Sequence, residues 1–441
     1  MGLFQLKNFR VWAGAFAVMT LAVSAFNVRA DDKLSLSGAG WTNYGMIVNS
    51  NDTSESKKLN GRGMLGTGAQ FGIHYQASEK LEIGAGLGVG SGHSIAARNT
   101  NGFYAPFETG PYVSAASAKY SFWNEESGKL FLQVGLFPYD YAPEEQNLGL
   151  YLLRGPLYPG FLISGFETKY VLPVANTFGF QLHHQTGSFE HDILLTFETD
   201  WYPYWDLSPA YVATYHAGSV FRIGAGVNLY HFIPIDKSLT TDTIPAVKYI
   251  TSDHDTVAIA FKGVKLMANF TFDPKALLGG GEGGVLGAED LKLYGEVGVL
   301  GLDNDKAHKE LYGDISKRMP MMIGFNIPTF KVLDKLALEV EYYGAPWIDD
   351  PSIYYHYTSN QPRPIPKSAT LDTNNTKDNI KWSVYGSRIL SGHVKLSFQA
   401  ASDHFRPGLF NGYGDNKPAA NHPPFFSPSD WYWTTKIAYF F

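Results

Sequence analysis

Three short clusters carry side chains that could do chemistry: His183-His184, Ser252-Asp253-His254-Asp255 and Asp303-Asn304-Asp305. Imidazoles and carboxylates together can hold a metal ion or exchange protons. None of the clusters has the i, i+4 histidine spacing of a metal-binding helix or the strand-turn-helix setting of a nucleophile elbow. Asp303-Asn304-Asp305 offers the oxygen ligands a hard cation prefers, but a solvated turn has the same composition. Gly84, Gly86, Gly88, Gly90 and Gly92 suggest a phosphate loop until their spacing is read. They recur at every second residue, whereas a phosphate loop needs glycines where a strand turns into a helix. They read instead as strand positions where something needs room. The chain has no cysteine, so thiol nucleophiles and zinc-thiolate sites are out. The sequence therefore predicts no catalytic residue, cofactor or metal, and no enzyme.

The elements that would position these groups are strands. Charged residues make up only 17% of the 441 residues, against about 25% for a typical soluble domain, and aromatics reach 15%. Mean hydropathy is -0.15, which suits neither a helical membrane bundle nor a disordered chain. Lys7 and Arg10, the apolar stretch from Val11 to Phe26 and Val28-Arg29-Ala30 together read as a signal peptide cleaved after Ala30. Its removal takes away three basic residues and no acid, so the mature chain is more acidic than the formal −6 of the whole sequence. That balance argues against a nucleic-acid partner.

After residue 30 no apolar run is long enough for a membrane helix, and the pattern has period two. Lys292, Tyr294 and Glu296 alternate with Leu291, Leu293, Gly295 and Val297; Lys395, Ser397 and Gln399 alternate with Val394, Leu396 and Phe398. Similar runs occupy 81–89, 130–137, 192–198, 221–230 and 336–343. Each has about the length of a tilted membrane strand, ~9 to 11 residues. A soluble β-sandwich usually covers ~100 residues, so 410 residues should break into several domains with linkers, and no such breaks are visible. Short connections (78–80, 124–129, 216–219, 391–392) alternate with long ones (48–63, 91–111, 233–255, 345–379, 404–429), as in a barrel with tight turns at one end.

The last strand is the most specific feature. Trp433, Thr435, Ile437, Tyr439 and Phe441 occupy alternate positions up to the final residue. This resembles, over about ten residues, the C-terminal signature of Gram-negative outer-membrane β-barrels, and the expected barrel resembles porins. The resemblance implies that Ile437, Tyr439 and Phe441 act as an assembly signal for the barrel-assembly machinery. It also implies an outer-membrane location, outer-membrane lipid around the barrel, and a homo-oligomer as an open question.

The expected fold is all-β: a single closed antiparallel transmembrane barrel over 31–441, with eighteen strands expected and sixteen as the alternative. Seventeen runs are convincing, and an even number is required. Asn147 to Arg154 is the candidate for the missing strand; merging a weak hairpin near His183 to Glu190 would give sixteen. A phase flip in 257–272 predicts a bulge at Lys262-Gly263. The alternation places Lys119, Arg222, Lys265, Lys292, Lys381, Lys395, Lys436, Glu82, Glu198, Glu296, Glu339 and Glu341 on the lumen wall, a mixture of signs that predicts weak ion selectivity. Trp41, Tyr230, Tyr343 and Tyr385 also point inward and could stack on sugar rings. Tyr139, Asp140 and Tyr141, between Pro138 and Pro143, are the candidate constriction loop. The expected function is a porin-like channel for passive diffusion of small hydrophilic solutes. The alternative is a surface-exposed structural or adhesion barrel that binds a polymer such as a polysaccharide through its long loops, for example at Tyr354-Tyr355-His356-Tyr357.

Overall fold

The computed structural model describes residues 33–49, 60–61, 63–94, 108–125, 128–153, 175–197, 205–235, 248–250, 256–258, 263–277, 284–300, 302, 315–343, 380–403 and 429–441. In chain order the first strands are β1 (Leu34–Asn49), β2 (Gly63–Gln76), β3 (Leu81–Ser94), β4 (Glu108–Glu125), β5 (Gly128–Tyr139), β6 (Ala175–Thr186), β7 (Phe189–Phe197), β8 (Leu207–Ala217) and β9 (Phe221–Tyr230). They are followed by β10 (Lys248–Ile250), β11 (Thr256–Ala258), β12 (Gly263–Phe272), β13 (Leu293–Leu300), β14 (Met321–Asn326), β15 (Lys335–Tyr342), β16 (Ile380–Leu390), β17 (Val394–Ser402) and β18 (Trp431–Phe440). Sixteen of them form one closed antiparallel barrel, while β10 and β11 form a separate two-stranded sheet.

The barrel closes where β18 pairs with β1, from Ala39↔Phe440 to Asn49↔Trp431. Phe441 extends the seam by exchanging two backbone hydrogen bonds with Gly38, each 3.0 Å. Gly38 leaves room there: a Cβ would meet the Phe441 ring, which lies against this glycine. Closure leaves no unpaired edge, which a sheet surrounded by hydrocarbon demands.

Alternation sets the two faces. On β15, Leu338 and Val340 are each 38% exposed, whereas Glu339 is 1% and Glu341 0% exposed. Ile83, Leu87, Val89, Ile193 and Ile323 share the exposed apolar outer face. This is the reverse of a water-soluble sheet and suits a wall with lipid outside and polar groups within. Lys33, Phe441 and the short connections Ala77–Lys80, Gly187–Ser188 and Ser391–His393 lie at one end of the barrel.

Sixteen strands, not eighteen, is therefore the count, and the route to it differs from either one expected. Asn147–Leu153 is not a strand; with Asp140–Gln146 it folds against the inner wall. The His183 to Glu190 hairpin is intact as β6 and β7. The bulge expected at Lys262-Gly263 falls at Lys262, outside the described residues; on either side of it β11 pairs with β10, and β12 pairs with β9 starting at Gly263↔Tyr230.

The long connection between β12 and β13 sits at the short-turn end and is tied to its neighbour by Asp290. The Asp290 carboxylate accepts from the backbone N–H groups of Gly287 (2.8 Å), Thr329 (3.1 Å) and Phe330 (3.2 Å). Burial alone would raise its pKa, but these bonds favour the charged form and hold it below the ordinary carboxylate value. Beside it, burial pulls Glu289 upward, and Lys335 (3.0 Å) and Lys292 (2.6 Å) override that to lower it. A depressed folded-state pKa contributes stability above the unfolded value of about 3.9, and the contribution is lost as pH falls through the folded value. Asp290→Asn should therefore be less stable than the wild type at neutral pH. The gap should close as pH drops below about 4, read from the temperature at which the folded, heat-modifiable gel band disappears.

Candidate functional site

The segment that leaves β5 at Tyr139 crosses the barrel interior. In the ring of sixteen strands β15 lies eight steps from β5 in either direction, diametrically opposite it. On β15 the Glu339 carboxylate accepts three successive backbone N–H groups, from Gln146 (2.6 Å), Asn147 (2.9 Å) and Leu148 (3.0 Å). The Tyr294 hydroxyl adds a fourth bond at 2.9 Å. On β13 the Glu296 carboxylate accepts from Leu150 N, Tyr151 N and the Tyr141 hydroxyl, each 2.8 Å. Glu341 accepts the Tyr151 hydroxyl at 2.9 Å, and Asp403 accepts the Asn147 side-chain amide at 2.5 Å. Buried carboxylates satisfied by N–H donors avoid the penalty of an uncompensated charge, and the segment avoids orphaned backbone donors.

Local sequence makes this turn possible. Gly149 (φ 83°) and Leu150 (φ 57°) both adopt left-handed backbone, which reverses the chain and aims its amides at the wall. A Cβ at Gly149 would collide with the Glu145 carboxylate. On the facing wall, Gly226 and Gly298 leave space for the segment: a Cβ at either would come within 2.8 Å of Leu152 and 2.7 Å of Tyr151, respectively. Apolar packing completes the fit. Tyr141, Ala142, Leu150, Leu152 and Leu153 form a cluster with Phe137, Leu194, Val212 and Met267 of the wall, and Leu148 and Tyr151 pack with Tyr294, Met322 and Tyr343. Arg222 donates to the Tyr141 carbonyl, and Asn228 donates to the Leu152 carbonyl at 3.2 Å.

The predicted residues divide between two halves of the lumen. Glu296, Glu339 and Glu341 lie beneath the inward segment and are buried, as are Lys265 and Lys381. Lys381 faces Glu341 across the β15–β16 pair, and Lys265 lies 5.0 Å from the Tyr230 ring centroid. Arg222 and Lys292 stand 3.9 Å from Glu144 of the segment. Lys119, Lys395 and Lys436 are only partly buried. Lys119 lies over the Phe131 ring (4.6 Å) and Lys436 over Trp41 (5.7 Å). Glu82 pairs across strands with Lys119 and sits 3.7 Å from His74. Tyr139 and Tyr141 are buried, and Asp140 caps the backbone N–H of Ala142 at 2.9 Å. Ile437 and Tyr439 lie on the outer face of β18, and Phe441, just beyond its end, continues that face. Trp41, Tyr230, Tyr343 and Tyr385 are buried on the inner face rather than gathered into one track. Glu198, Ser252 to Asp255, Asp303 to Asp305 and Tyr354 to Tyr357 lie outside the described residues.

Opposite the inward segment the wall is thin. Gly66, Gly68 and Gly72 of β2 and Gly84, Gly86, Gly88 and Gly90 of β3 face the lumen. Side chains from neighbouring strands lie down on them: a Cβ at Gly68 would strike the Trp41 ring, and one at Gly66 the Asn43 side chain. Sequence reasoning read Gly84, Gly86, Gly88 and Gly90 as strand positions that need room but missed Gly66, Gly68 and Gly72 and also Glu145, Asn147 and Asp403; Asn147 meets Glu339 and Asp403 across 192 and 256 residues, and Glu145 bonds within the turn itself.

No protein-family model matches the chain, and no curated protein does. Among solved structures it is similar to Pseudomonas putida OprB, with 9% identity and TM-score 0.49, covering 93% of this chain and 94% of that one. It is also similar to Salmonella typhi OmpF in a complex with daunomycin, with 11% identity and TM-score 0.47, covering 92% and 97%. A Rhodopseudomonas blastica porin triple mutant matches at 8% identity and TM-score 0.44, covering 92% and 100%. The fold assignment rests on the strand pairing of this chain itself.

The Glu339 contacts generate a local prediction. Glu339→Gln replaces a charged acceptor of three amides with one neutral carbonyl, at a cost on the order of 3 kcal/mol. Amide hydrogen exchange at Gln146, Asn147 and Leu148 should accelerate about a hundredfold, while exchange in the β1–β18 seam should not change.

Proposed function

We propose that the protein is an outer-membrane channel through which small hydrophilic solutes diffuse passively. The observation that carries this reading is the asymmetry of the lumen. One half of the wall carries the tethered segment, and the other half is floored by glycines with neighbouring side chains lying flat against it. A segment fixed to one side and a wall stripped of side chains on the other is an arrangement that narrows a bore without filling it. Sixteen strands enclose more space than wall side chains alone occupy. Lipid covers the exposed apolar belt, and Ile437, Tyr439 and Phe441 serve as the assembly signal.

The charges lining the path differ from the charges counted in the sequence. Glu296, Glu339 and Glu341 are spent on the amides and hydroxyls of the segment. Lys119, Lys395 and Lys436 remain partly exposed on the side away from it, with Glu82 the acid facing Lys119. We therefore replace the expectation of weak selectivity with a preference for anions.

Single-channel recording of the mature chain, which we place at 31–441, in a planar lipid bilayer tests both points. Discrete current steps that scale with salt are expected, and the reversal potential in a KCl gradient should have the sign of chloride preference. Folded protein that inserts and gives no steps would overturn the channel reading. A potassium-favouring reversal potential would overturn the charge argument alone.

A further inference from the structure

A second cluster on the lumen wall lies near the short-turn end and takes no part in holding the inward segment to β13 and β15. His183 of β6 faces Asp192 of β7 across a register pair, with Nδ1 2.9 Å from Oδ1. Glu190, two residues before Asp192 and on the same face, places Oε1 3.9 Å from the same His183 nitrogen. One donor atom from each of the three residues lies within 4.8 Å of the others. On β8, His216 stands with Nε2 3.2 Å from the second oxygen of Glu190.

We propose that His183, Glu190 and Asp192, with His216 as the adjoining fourth group, form a binding site for a divalent transition-metal ion of the zinc class. Zinc binds imidazole nitrogen and carboxylate oxygen at about 2.0 to 2.2 Å, which sets ligand atoms roughly 3.3 to 3.6 Å apart in a tetrahedron. The separations of 2.9, 3.9 and at most 4.8 Å bracket that value, so small side-chain rotations suffice. Mixed imidazole and carboxylate donors favour zinc, copper or nickel over magnesium or calcium, which prefer all-oxygen sets.

The surroundings hold the donors in place as the outer shell of a metal site does. Gln181 Nε2 donates to Asp192 Oδ1 at 2.8 Å, and the Tyr139 hydroxyl donates to Oδ2 at 3.3 Å. The Phe131 ring stacks on His183 with centroids 4.6 Å apart, fixing the imidazole plane. Two carboxylates and a histidine on two rungs of the β6–β7 pair would be held together by the ion's charge.

A different histidine pair supplies the control. His184 and His191 stack at 6.0 Å on the outer face, where His191 Nδ1 bonds the Tyr211 hydroxyl at 2.8 Å.

The test is isothermal titration of the detergent-extracted, EDTA-treated full chain with zinc chloride, and with magnesium chloride for comparison. One saturable equivalent of zinc is expected, with magnesium giving none. His183→Gln and Asp192→Asn should each weaken zinc binding at least tenfold, and the double variant His184→Gln/His191→Gln should leave it unchanged. Glu190→Gln, at a partly exposed side chain, guards against misfolding of the buried variants and should also weaken binding tenfold or more. Heat-modifiable gel mobility confirms which variants are folded. The site is refuted if wild-type protein binds no stoichiometric zinc, if Glu190→Gln and the folded His183 and Asp192 variants bind as tightly as wild type, or if only the outer-face variant loses binding.

Discussion

Everything in this molecule depends on the requirement that the sheet have no edge. A strand surrounded by hydrocarbon cannot leave an N–H or C=O group unpaired, so β18 must meet β1 and the number of strands must return the chain to its starting end. The seam from Ala39↔Phe440 to Asn49↔Trp431, lengthened by Gly38 and Phe441, meets that requirement. Once the ring is closed, its inner face becomes a compartment with its own solvent, and every side chain on that face must find either water or a partner. The tethered segment and the charges of the wall follow from this second condition.

Inside the ring the segment and the wall solve each other's problem. Glu339 and Glu296, within a strand, would be buried carboxylates without counter-groups, and the amides of 146–148 and 150–151 would be a turn without acceptors. Together they make six short hydrogen bonds from backbone to carboxylate or from hydroxyl to carboxylate. Charged acceptors bind amides more strongly than neutral ones do, so a few strands can hold a segment of about a dozen residues without forming a ladder with it. Gly226 and Gly298 give up their side chains so that Leu152 and Tyr151 can approach the wall. Apolar contact with Phe137, Met267 and Tyr294 then excludes water from the bonds and makes each worth more than it would be in the open lumen.

The period-two pattern made the barrel, its two faces and the glycine stripe legible in the sequence, because alternation is a property of one strand at a time. Asn147 to Arg154 was misread for the same reason. Leu148, Leu150 and Leu152 alternate with Gly149, Tyr151 and Leu153, and a turn buried inside a lumen repeats apolar residues much as a strand against lipid does. The left-handed backbone at Gly149 and Leu150 distinguishes them, and only the glycine is visible as a hint in the sequence. Glu339 and Glu341 read from the sequence as solvating groups of an inner wall, whereas in the structure both are buried and bonded to the segment. Glu339's role as a receptor for amides, and Glu341's for the Tyr151 hydroxyl, depends on residues about 190 positions away, which no local pattern reports.

The same distinction separates charge composition from charge on the inner wall. A count along the strands treats every inward residue alike and finds both signs. The fold withdraws three of the acids by bonding them to the segment and leaves Lys119, Lys395 and Lys436 partly exposed on the rest of the inner wall, the first and last resting on aromatic rings. A carboxylate already satisfied by three amides has little field left to offer a passing ion, whereas an ammonium on a ring face keeps most of its own. The selectivity of such a wall is set by which charges the inner segment covers, and so by where one turn of about a dozen residues is tied.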